Sequence, residues 1–304
     1  MLRVRALLFA PVLATALVAV SPGWKRAAPV PLPRTEVAAA RLGGGEIVVV
    51  GGFVRSGENV GRADAYSPGK NRWRRLPDLP VTIDHAAAAS SGGRPYVLGG
   101  YGADRRPLAS AFVFRGGTWR PLPSLPEPRA AAAAAVARGN LYVVGGIGPN
   151  GLATRALRLD LGTLHWSFVP GPVQREHLAA AALGGKVYAI AGRTVTTGNL
   201  DTFEVYSPAK RAWTTLPRVP ETRGGTGAAA VGKTIVSVGG EARETIRTVY
   251  AYNVKKRRWS RLPDLPTPRH GLGVVAYRGR VYALAGGPQP GLFVSAANEY
   301  LRIG

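Results

Sequence analysis

Tryptophan recurs along this chain at nearly constant spacing, and this period constrains the fold more than any other feature. The six tryptophans are separated by 49, 46, 47, 47 and 46 residues. A doublet of small residues, such as Gly51-Gly52 or Ala191-Gly192, follows each tryptophan and ends 26 to 28 residues after it. A fixed period of roughly 20–50 residues is typical of repeat architectures. The chain is therefore predicted to contain six copies of one structural unit.

Each unit is predicted to form four short strands. An Ala/Val-rich stretch is followed by an aliphatic run that ends in the doublet, as in residues 141–146. A third run ends in an aromatic residue seven positions before the tryptophan, and a fourth run, which contains the tryptophan, ends in Leu-Pro. Short runs rich in β-branched and aromatic residues and bounded by Gly and Pro predict strands. The 40 glycines and 25 prolines also disfavour long helices, and no helical periodicity follows residue 20.

The doublet, a Tyr-Ser-Pro turn at Tyr66 and Tyr206, and a Trp followed by Leu-Pro together resemble the Kelch motif over about residues 24–301. This resemblance implies an all-β, six-bladed β-propeller, with one four-stranded blade per repeat around a central channel. Trp24 has no first three strands before it, and the last unit ends before any tryptophan. We therefore expect the N-terminal strand to complete the C-terminal blade and close the ring, within a propeller domain of residues 22–304.

Residues that recur in every blade favour a structural role, whereas residues that break the pattern near the channel are functional candidates. An arginine nine or ten residues after the tryptophan recurs in five of the six units, with Ile83 as the exception, and is predicted to satisfy loop carbonyls. In the Kelch family, ligand contacts come mostly from the residues after this position and from the loop after the doublet. The candidate ligand-binding residues are therefore His85, Tyr101, His177, Arg193, Glu241 and His270.

Three of the four histidines start inner strands of alternate blades, which raises the question of a three-histidine metal site. His85 and His177 share one position of the repeat, but His270 lies one position earlier and should face the other side of its strand. We therefore expect no metal and no other cofactor. The absence of cysteine excludes disulfides and thiolate metal sites. It also excludes the Cys-modified tyrosine of the Kelch copper-radical oxidases.

The N-terminus predicts export. Arg3 and Arg5 precede an apolar run over residues 6–20, which is typical of a bacterial secretory signal, with an uncleaved membrane anchor as the alternative. The formal net charge of +23 at first suggests a nucleic-acid ligand. However, export removes the protein from the genome, and the densest basic run, residues 255–258, lies on a blade turn away from the expected ligand loops. An anionic envelope polymer, in the periplasm or outside the cell, is the polyanionic partner that remains.

These observations predict an exported, monomeric Kelch-type propeller that binds a protein or carbohydrate ligand non-enzymatically through its channel-mouth loops. The alternative is a carbohydrate mutarotase similar to the bacterial Kelch sialate mutarotases, with Glu176 and His177, or Glu241 with Arg193, as the acid/base pair. A pocket of about 300 Å³ or more that contains such a pair would favour the enzyme, and an open, flat mouth would favour the binding module.

Overall fold

A computed structural model describes residues 23–303, which form six four-stranded antiparallel sheets. The strands of the first three blades are β2 (Ala38–Leu42), β3 (Glu46–Val50), β4 (Ala63–Ser67) and β5 (Arg72–Arg75); β6 (Ala87–Ser91), β7 (Arg94–Leu98), β8 (Ala111–Arg115) and β9 (Thr118–Pro121); and β10 (Ala133–Ala137), β11 (Asn140–Val144), β14 (Arg155–Asp160) and β15 (Trp166–Pro170). In blade 3, a small ribbon of β12 (Ile147–Gly148) and β13 (Gly151–Leu152) lies in the loop after the doublet.

Blades 4 to 6 repeat the same order. Their strands are β16 (Ala179–Leu183), β17 (Lys186–Thr194), β18 (Gly198–Ser207) and β19 (Ala212–Thr215); β20 (Gly227–Val231), β21 (Thr234–Val238), β22 (Val249–Asn253) and β23 (Arg258–Leu262); and β24 (Gly273–Tyr277), β25 (Arg280–Leu284), β26 (Asn298–Arg302) and β1 (Lys25–Arg26). The innermost strand of each blade contacts that of the next, and β24 contacts β2. Residues 23–303 are therefore a closed six-bladed propeller, as the repeat predicted, and the only helix among them is the 3₁₀ turn Gly43–Gly45.

The N-terminal strand closes the ring by completing blade 6. Lys25 pairs with Tyr300 and Arg26 with Glu299 in β26. The backbone N–H of Ala27 extends this pairing by donating to Asn298 O at 2.8 Å. Closure satisfies the outer edge of blade 6, as predicted. The predicted signal segment, residues 1–20, lies outside the described residues. Within residues 23–303, no helix is both long and apolar enough to span a bilayer.

Neighbouring blades are held together by apolar cores and by tryptophan. Six hydrophobic clusters each combine side chains of two adjacent blades, and a tryptophan belongs to or packs against every cluster. Each indole Nε1–H also donates to a backbone carbonyl of the preceding blade. The bond from Trp213 to Pro170 O measures 2.8 Å, as does the ring-closing bond from Trp24 to Pro263 O. The tryptophan period is thus the period of the interblade contact.

The recurrent arginine is buried in all five blades that contain it. Arg269 shows the pattern: it donates to Ala285 O in the doublet at 2.9 Å and to Glu299 Oε2 at 2.8 Å. Burial lowers the pKa of Arg34 and of Arg269 to about 10, so both remain cationic at neutral pH. The five arginine–acid pairs are Arg34–Asp64, Arg129–Glu127, Arg175–Glu204, Arg223–Glu221 and Arg269–Glu299. These arginines satisfy loop carbonyls, as predicted, and do not line the channel mouth.

The second doublet residue is glycine in every blade because the backbone passes very close to the residue after the arginine. At Gly52, φ is +95°, and a Cβ would lie 2.4 Å from Thr35 O. This close approach places the end of the second strand beside the start of the first strand. It lies on the face of the propeller that also carries the candidate residues.

Candidate functional site

In every blade, the residue directly after the recurrent arginine position pairs with the residue directly after the doublet. We name the first of these the pairing position. The six pairs are Thr35–Phe53, Asp84–Tyr101, Ala130–Ile147, Glu176–Arg193, Gly224–Glu241 and His270–Gly287. The two groups of candidate residues, which the sequence places about 17 residues apart, are therefore direct neighbours at one mouth of the channel.

The next residue in each blade, which we name the turn position, has a left-handed backbone. The turn residues are Glu36, His85, Ala131, His177, Gly225 and Gly271, all with φ between 49° and 59°. Each turn residue from His85 to Gly271 donates its N–H to the carbonyl of the turn residue in the preceding blade, as from His85 to Glu36 O at 3.1 Å. The N–H of Val37 closes this belt by donating to Gly271 O at 3.1 Å. The belt fixes the turn residues around the channel.

All six candidate residues line one cavity of about 800 Å³ above this belt, which we name the mouth cavity. They come from four different blades, so the fold brings together residues up to 185 positions apart, from His85 to His270. The residues that complete the polar and aromatic lining are Glu36, Phe53, Arg105 and Glu176. This cavity exceeds the volume of about 300 Å³ that would favour the enzyme and contains both expected acid/base pairs, so its volume and lining alone do not favour the binding module.

Arg193 organises the polar wall of the mouth cavity. Its Nε donates to Glu176 Oε1 at 2.7 Å, and its Nη1 donates to Glu241 Oε1 at 2.6 Å. Its Nη2 donates to His177 Nε2 at 3.1 Å. Burial would lower the pKa of Arg193, but the hydrogen bond and charge of Glu176, with the charge of Glu241, raise it. All three nitrogens are engaged, so Arg193 links blades 4 and 5 and is held in one orientation.

His177 is neutral because of its two neighbours. Its Nδ1 bonds to Glu176 Oε2, a carboxylate oxygen that can only accept. Its Nε2 faces the guanidinium of Arg193, which can only donate, so Nε2 carries no proton. Burial also lowers the pKa of His177, and the charge of nearby His85 acts in the same direction, against the opposing effect of Glu176.

His85 faces acceptors on both sides and is cationic. Its Nδ1 lies 2.5 Å from Asp84 Oδ1, and its Nε2 lies 3.3 Å from Glu36 Oε2. Burial would lower the pKa of His85, but the charges of Glu36 and Asp84 and the Asp84 hydrogen bond raise it. For the Glu36 carboxyl, burial would raise the pKa, but His85, His270 and His177 together hold it well below its usual value. The His85 and His177 rings meet edge to face, with centroids 4.7 Å apart.

His270 lies one position earlier in the repeat than the other two, as the sequence showed, but it reaches the same carboxylate. Its Nδ1 lies 3.0 Å from Glu36 Oε1, and its Nε2 donates to Gln289 O at 3.0 Å. Burial would lower the pKa of His270, but the Glu36 hydrogen bond and charge raise it. The expectation that a one-residue offset would turn His270 away was wrong. Strand alternation does not continue through a left-handed turn position, so both positions face the mouth cavity.

An exposed cation and two aromatic rings form the rim on the side of blades 1 and 2. The Arg105 guanidinium lies over the rings of Tyr101, at 4.6 Å, and Phe53, at 5.0 Å. Its Nη1 donates to Asp84 Oδ2 at 2.7 Å, and the side chain keeps 52% of its surface exposed. This rim presents a cation and flat apolar faces to a ligand.

Sequence reasoning missed Glu36 and Arg105. Glu36 could have been found because it occupies the same repeat position as His85 and His177, two residues after the recurrent arginine. Arg105 lies in a loop without any repeat position, so no sequence signal marks it. Gly271 also has a specific role, because a Cβ there would lie 2.5 Å from the Glu36 carboxyl group.

The basic turns lie at the other end of the blades. Residues 68–71 and 254–257 connect third to fourth strands, whereas the doublet loops connect second to third strands. Because the strands are antiparallel, these two kinds of loop lie at opposite ends of each sheet. The turn cations are exposed, as expected for solvated loops.

Comparison with known proteins gives the same repeat. The model of the KLHDC2/KLHL20/DRC7 Kelch-repeats domain matches residues 123–287, and the Kelch motif model matches residues 38–80. An F-box/kelch-repeat protein of Arabidopsis thaliana is 37% identical over 171 residues, which cover 55% of this chain and 34% of that protein. The match therefore spans about a third of the length of this curated relative.

Proposed function

The chain belongs to the Kelch-repeat family, and we propose that its propeller is a non-enzymatic binding module whose mouth cavity takes a segment of a protein ligand. The observation that carries this proposal is that, in the mouth cavity of about 800 Å³, Arg193 bonds to both Glu176 and Glu241, so the acidic groups of both expected acid/base pairs are already paired. Kelch propellers are typically protein-interaction modules. The volume suits a few residues of a loop or chain end rather than a folded surface.

The chemistry of the rim indicates which segment fits. The exposed guanidinium of Arg105 offers a cation, and the rings of Tyr101 and Phe53 offer flat apolar faces. A carboxylate beside an apolar or aromatic side chain would use both features. Aromatic and arginine side chains are also the residues that most often dominate binding energy in interfaces.

The pairing within the cavity favours binding over catalysis. The three nitrogens of Arg193 are all bonded, and the carboxylates of Glu176 and Glu241 both accept from it. Such a network holds its groups rigidly, which reduces the ordering cost when a ligand binds. Because the Glu176 and Glu241 carboxylates already accept hydrogen bonds from these partners, they are not available for proton transfer.

Selection from a displayed peptide library on the full chain would test this proposal. We expect enriched peptides to carry an acidic residue next to an apolar one. Tyr101→Ala and Arg105→Ala should each weaken binding of a selected peptide by about tenfold, the effect of losing roughly 1.4 kcal/mol of contact energy. Arg106→Ala is the matched control, because Arg106 is a neighbouring arginine whose side chain is 85% exposed and lies 3.9 Å from its only acidic partner, Asp104.

Equal losses in Arg105→Ala and Arg106→Ala would contradict the site assignment. A loss that tracks a fall in thermal stability would do so as well. Arg193→Ala is a poor probe of binding, because it would leave the Glu176 and Glu241 carboxylates without their shared cation. We expect that variant to lose stability together with binding.

The second candidate function is a mutarotase-like activity on an acidic sugar, which the volume of the mouth cavity and one further observation favour. Cationic His85 and neutral His177 lie side by side in the cavity, with ring centroids 4.7 Å apart, so a general acid and a general base are adjacent. Saturation-transfer NMR on the anomers of a sialic or uronic acid would test this candidate. Catalysed exchange that His177→Gln abolishes supports it, and exchange at the uncatalysed rate refutes it.

The proposed location is the cell envelope or the exterior, with an anionic envelope polymer as a further partner of the basic turns. The pattern of Arg3, Arg5 and the apolar run over residues 6–20 supports export, and the exposed cations near residues 70 and 255–258 support the polymer contact. N-terminal sequencing of the secreted protein would test export. Polymer binding should weaken steeply with added salt, and binding insensitive to salt would exclude this contact.

A further inference from the structure

The turn position is where the chain accepts an unfavourable backbone for specific side chains. Its left-handed conformation suits glycine, which occupies it in blades 5 and 6, and a small alanine occupies it in blade 3. Only Glu36, His85 and His177 place large side chains there, each with φ near +50°. Strained residues of this kind concentrate at functional sites. The three residues therefore share a backbone cost that Gly225 and Gly271 avoid.

The donor atoms of these three side chains form a compact group, which we name the axial cluster. One donor atom from each residue lies within 4.8 Å of the donors of the other two. Glu36 Oε2 and His85 Nε2 are 3.3 Å apart. Neighbouring ligands of a tetrahedral Zn²⁺ with bonds of about 2.0–2.1 Å are also separated by about 3.3 Å. The Glu36–His85 ion pair therefore has a separation that a metal site would also have, and the other two separations lie within 4.8 Å.

The surrounding residues hold these donors in the manner of a metal's outer sphere. Asp84 engages Nδ1 of His85, and Glu176 engages Nδ1 of His177, so the ion would bind Nε2 of each ring, after Nε2 of cationic His85 has released its proton to solvent. A carboxylate on the far ring nitrogen is the usual partner of a metal-bound histidine. His270 fixes the third ligand by bonding to Glu36 Oε1 at 3.0 Å.

We propose that Glu36, His85 and His177 bind one divalent transition-metal ion, with Zn²⁺ as the best-fitting ion, at the base of the mouth cavity. Two histidines and one carboxylate are a ligand set that leaves at least one coordination position open for water or a ligand. Arg193 Nη2 gives up its contact with His177 Nε2 when the ion binds and keeps its bonds to Glu176 and Glu241.

Charge and access both suit a divalent cation. Around the axial cluster, the carboxylates of Glu36, Asp84, Glu176 and Glu241 exceed the charges of Arg105, Arg193 and cationic His85 by one, and by two once His85 has lost its proton to bind the ion. The ion would neutralise this excess. The axial cluster lines both the mouth cavity and a smaller channel cavity of about 130 Å³ beneath it, so an ion can enter and its open position can be reached.

This site does not depend on the proposed ligand. Metal binding can be measured on the full chain alone, and peptide binding can be measured in the presence of a chelator. A chain that binds Zn²⁺ but no peptide would refute the proposed function only, and the converse result would refute the metal site only.

The test is Zn²⁺ titration of untagged, chelator-treated full chain by calorimetry, with Co²⁺ absorption as a report of coordination. We expect one equivalent of metal per chain. Asp84→Asn and Glu176→Gln should each weaken affinity by about 10–100-fold, as outer-sphere changes do. His165→Ala is the matched histidine control and should bind as the wild type does, because His165 lies outside the mouth cavity.

Glycine substitutions separate ligation from folding. Glu36→Gly, His85→Gly and His177→Gly should remain folded, because glycine already occupies this position in two blades, yet each should lose stoichiometric binding. Ala131→Gly, at the same position in blade 3, should keep it. Wild type that binds less than stoichiometric Zn²⁺, or His85→Gly and His177→Gly variants that bind as tightly as wild type, would overturn the proposal. If a glycine variant does not fold, the Asp84→Asn and Glu176→Gln affinities decide.

Discussion

Replacing Arg269 with isoleucine should destabilise the propeller because it leaves a buried carboxylate without its counter-charge. Arg269 is fully buried, and the side chain of its partner Glu299 is 2% exposed. The guanidinium donates to Ala285 O at 2.9 Å, to Ala297 O at 2.7 Å and to Glu299 Oε2 at 2.8 Å. It also donates to Thr267 O at 3.1 Å and to Ala283 O at 3.4 Å, so the substitution removes the donor of four carbonyls and the partner of one buried charge.

The expected loss in free energy of unfolding is about 3–5 kcal/mol, the usual cost of removing one member of a buried ion pair. Most of this cost comes from the carboxylate that remains, since Thr267 Oγ1, at 3.0 Å from Glu299 Oε1, can stabilise it only partly. The four carbonyls add to this cost, because each loses a bond to the guanidinium, a bond that typically contributes roughly 1 kcal/mol or less when long.

Blade 2 shows how the chain avoids this cost. Ile83 replaces the arginine there, and Phe112 occupies the strand position that holds Glu299 in blade 6. An acid is present in every blade that has the arginine, and blade 2 has neither at these positions. The double variant Arg269→Ile/Glu299→Leu should therefore recover at least about 2 kcal/mol relative to the single variant, because no charge stays buried alone. Leu157 already occupies this strand position in blade 3.

Urea denaturation followed by tryptophan fluorescence is the assay, since tryptophan packs at every blade interface. Arg261→Ile is the control: Arg261 pairs with Asp264 on the surface, where ion pairs contribute little. A loss below about 1 kcal/mol in Arg269→Ile would refute the assignment of a buried pair. A double variant no more stable than Arg269→Ile would show that the unpaired carboxylate is not the cause.

Two further changes test an interblade bond and a close approach within one blade. Trp213→Phe should lower the free energy of unfolding in urea by about 1 kcal/mol, because it removes the Nε1 bond to Pro170 O while keeping most of the ring. Unchanged stability would show that this bond does not contribute to blade docking. Gly52→Ala should cost at least about 2 kcal/mol, since its Cβ would lie 2.4 Å from Thr35 O at a φ of +95°. Gly69→Ala, where no atom lies within 4 Å, is its control, and similar losses in both variants would contradict the clash.

The fold was predictable because each of its main contacts recurs with the repeat. Trp73, Trp119 and the other four tryptophans make the same interblade bond, so their spacing reports the spacing of the blades. The ring closure was predictable for the same reason, because Trp24 without preceding strands and a last unit without tryptophan complete each other. In a closed ring of identical units, the ends have only one position to occupy.

The site was predictable only in part, because its chemistry depends on contacts between blades. The six candidate residues were found from three repeat positions, and they share one cavity. However, the bond of Arg193 to Glu241 joins residues 48 positions apart in different blades, and no periodicity signals such a pair. The neutral state of His177 likewise follows from Arg193, whose guanidinium reaches it only in the folded ring.

The small residues of blade 3 explain why the site is polar on one side and why its histidines meet. Ala130 and Ile147 form the pairing of blade 3, where blades 2 and 4 have an acid with a tyrosine or an arginine. Ala131 at the turn position leaves the space in which the rings of His85 and His177, from the blades on either side, approach to 4.7 Å. A larger side chain at residue 131 would fill that space and separate the two rings. The departure from symmetry that creates the axial cluster therefore includes a small residue in blade 3 as well as large ones in blades 1, 2 and 4. In a repeat propeller, a residue that is smaller than its counterparts in the other blades therefore marks a functional position as well as a larger one does.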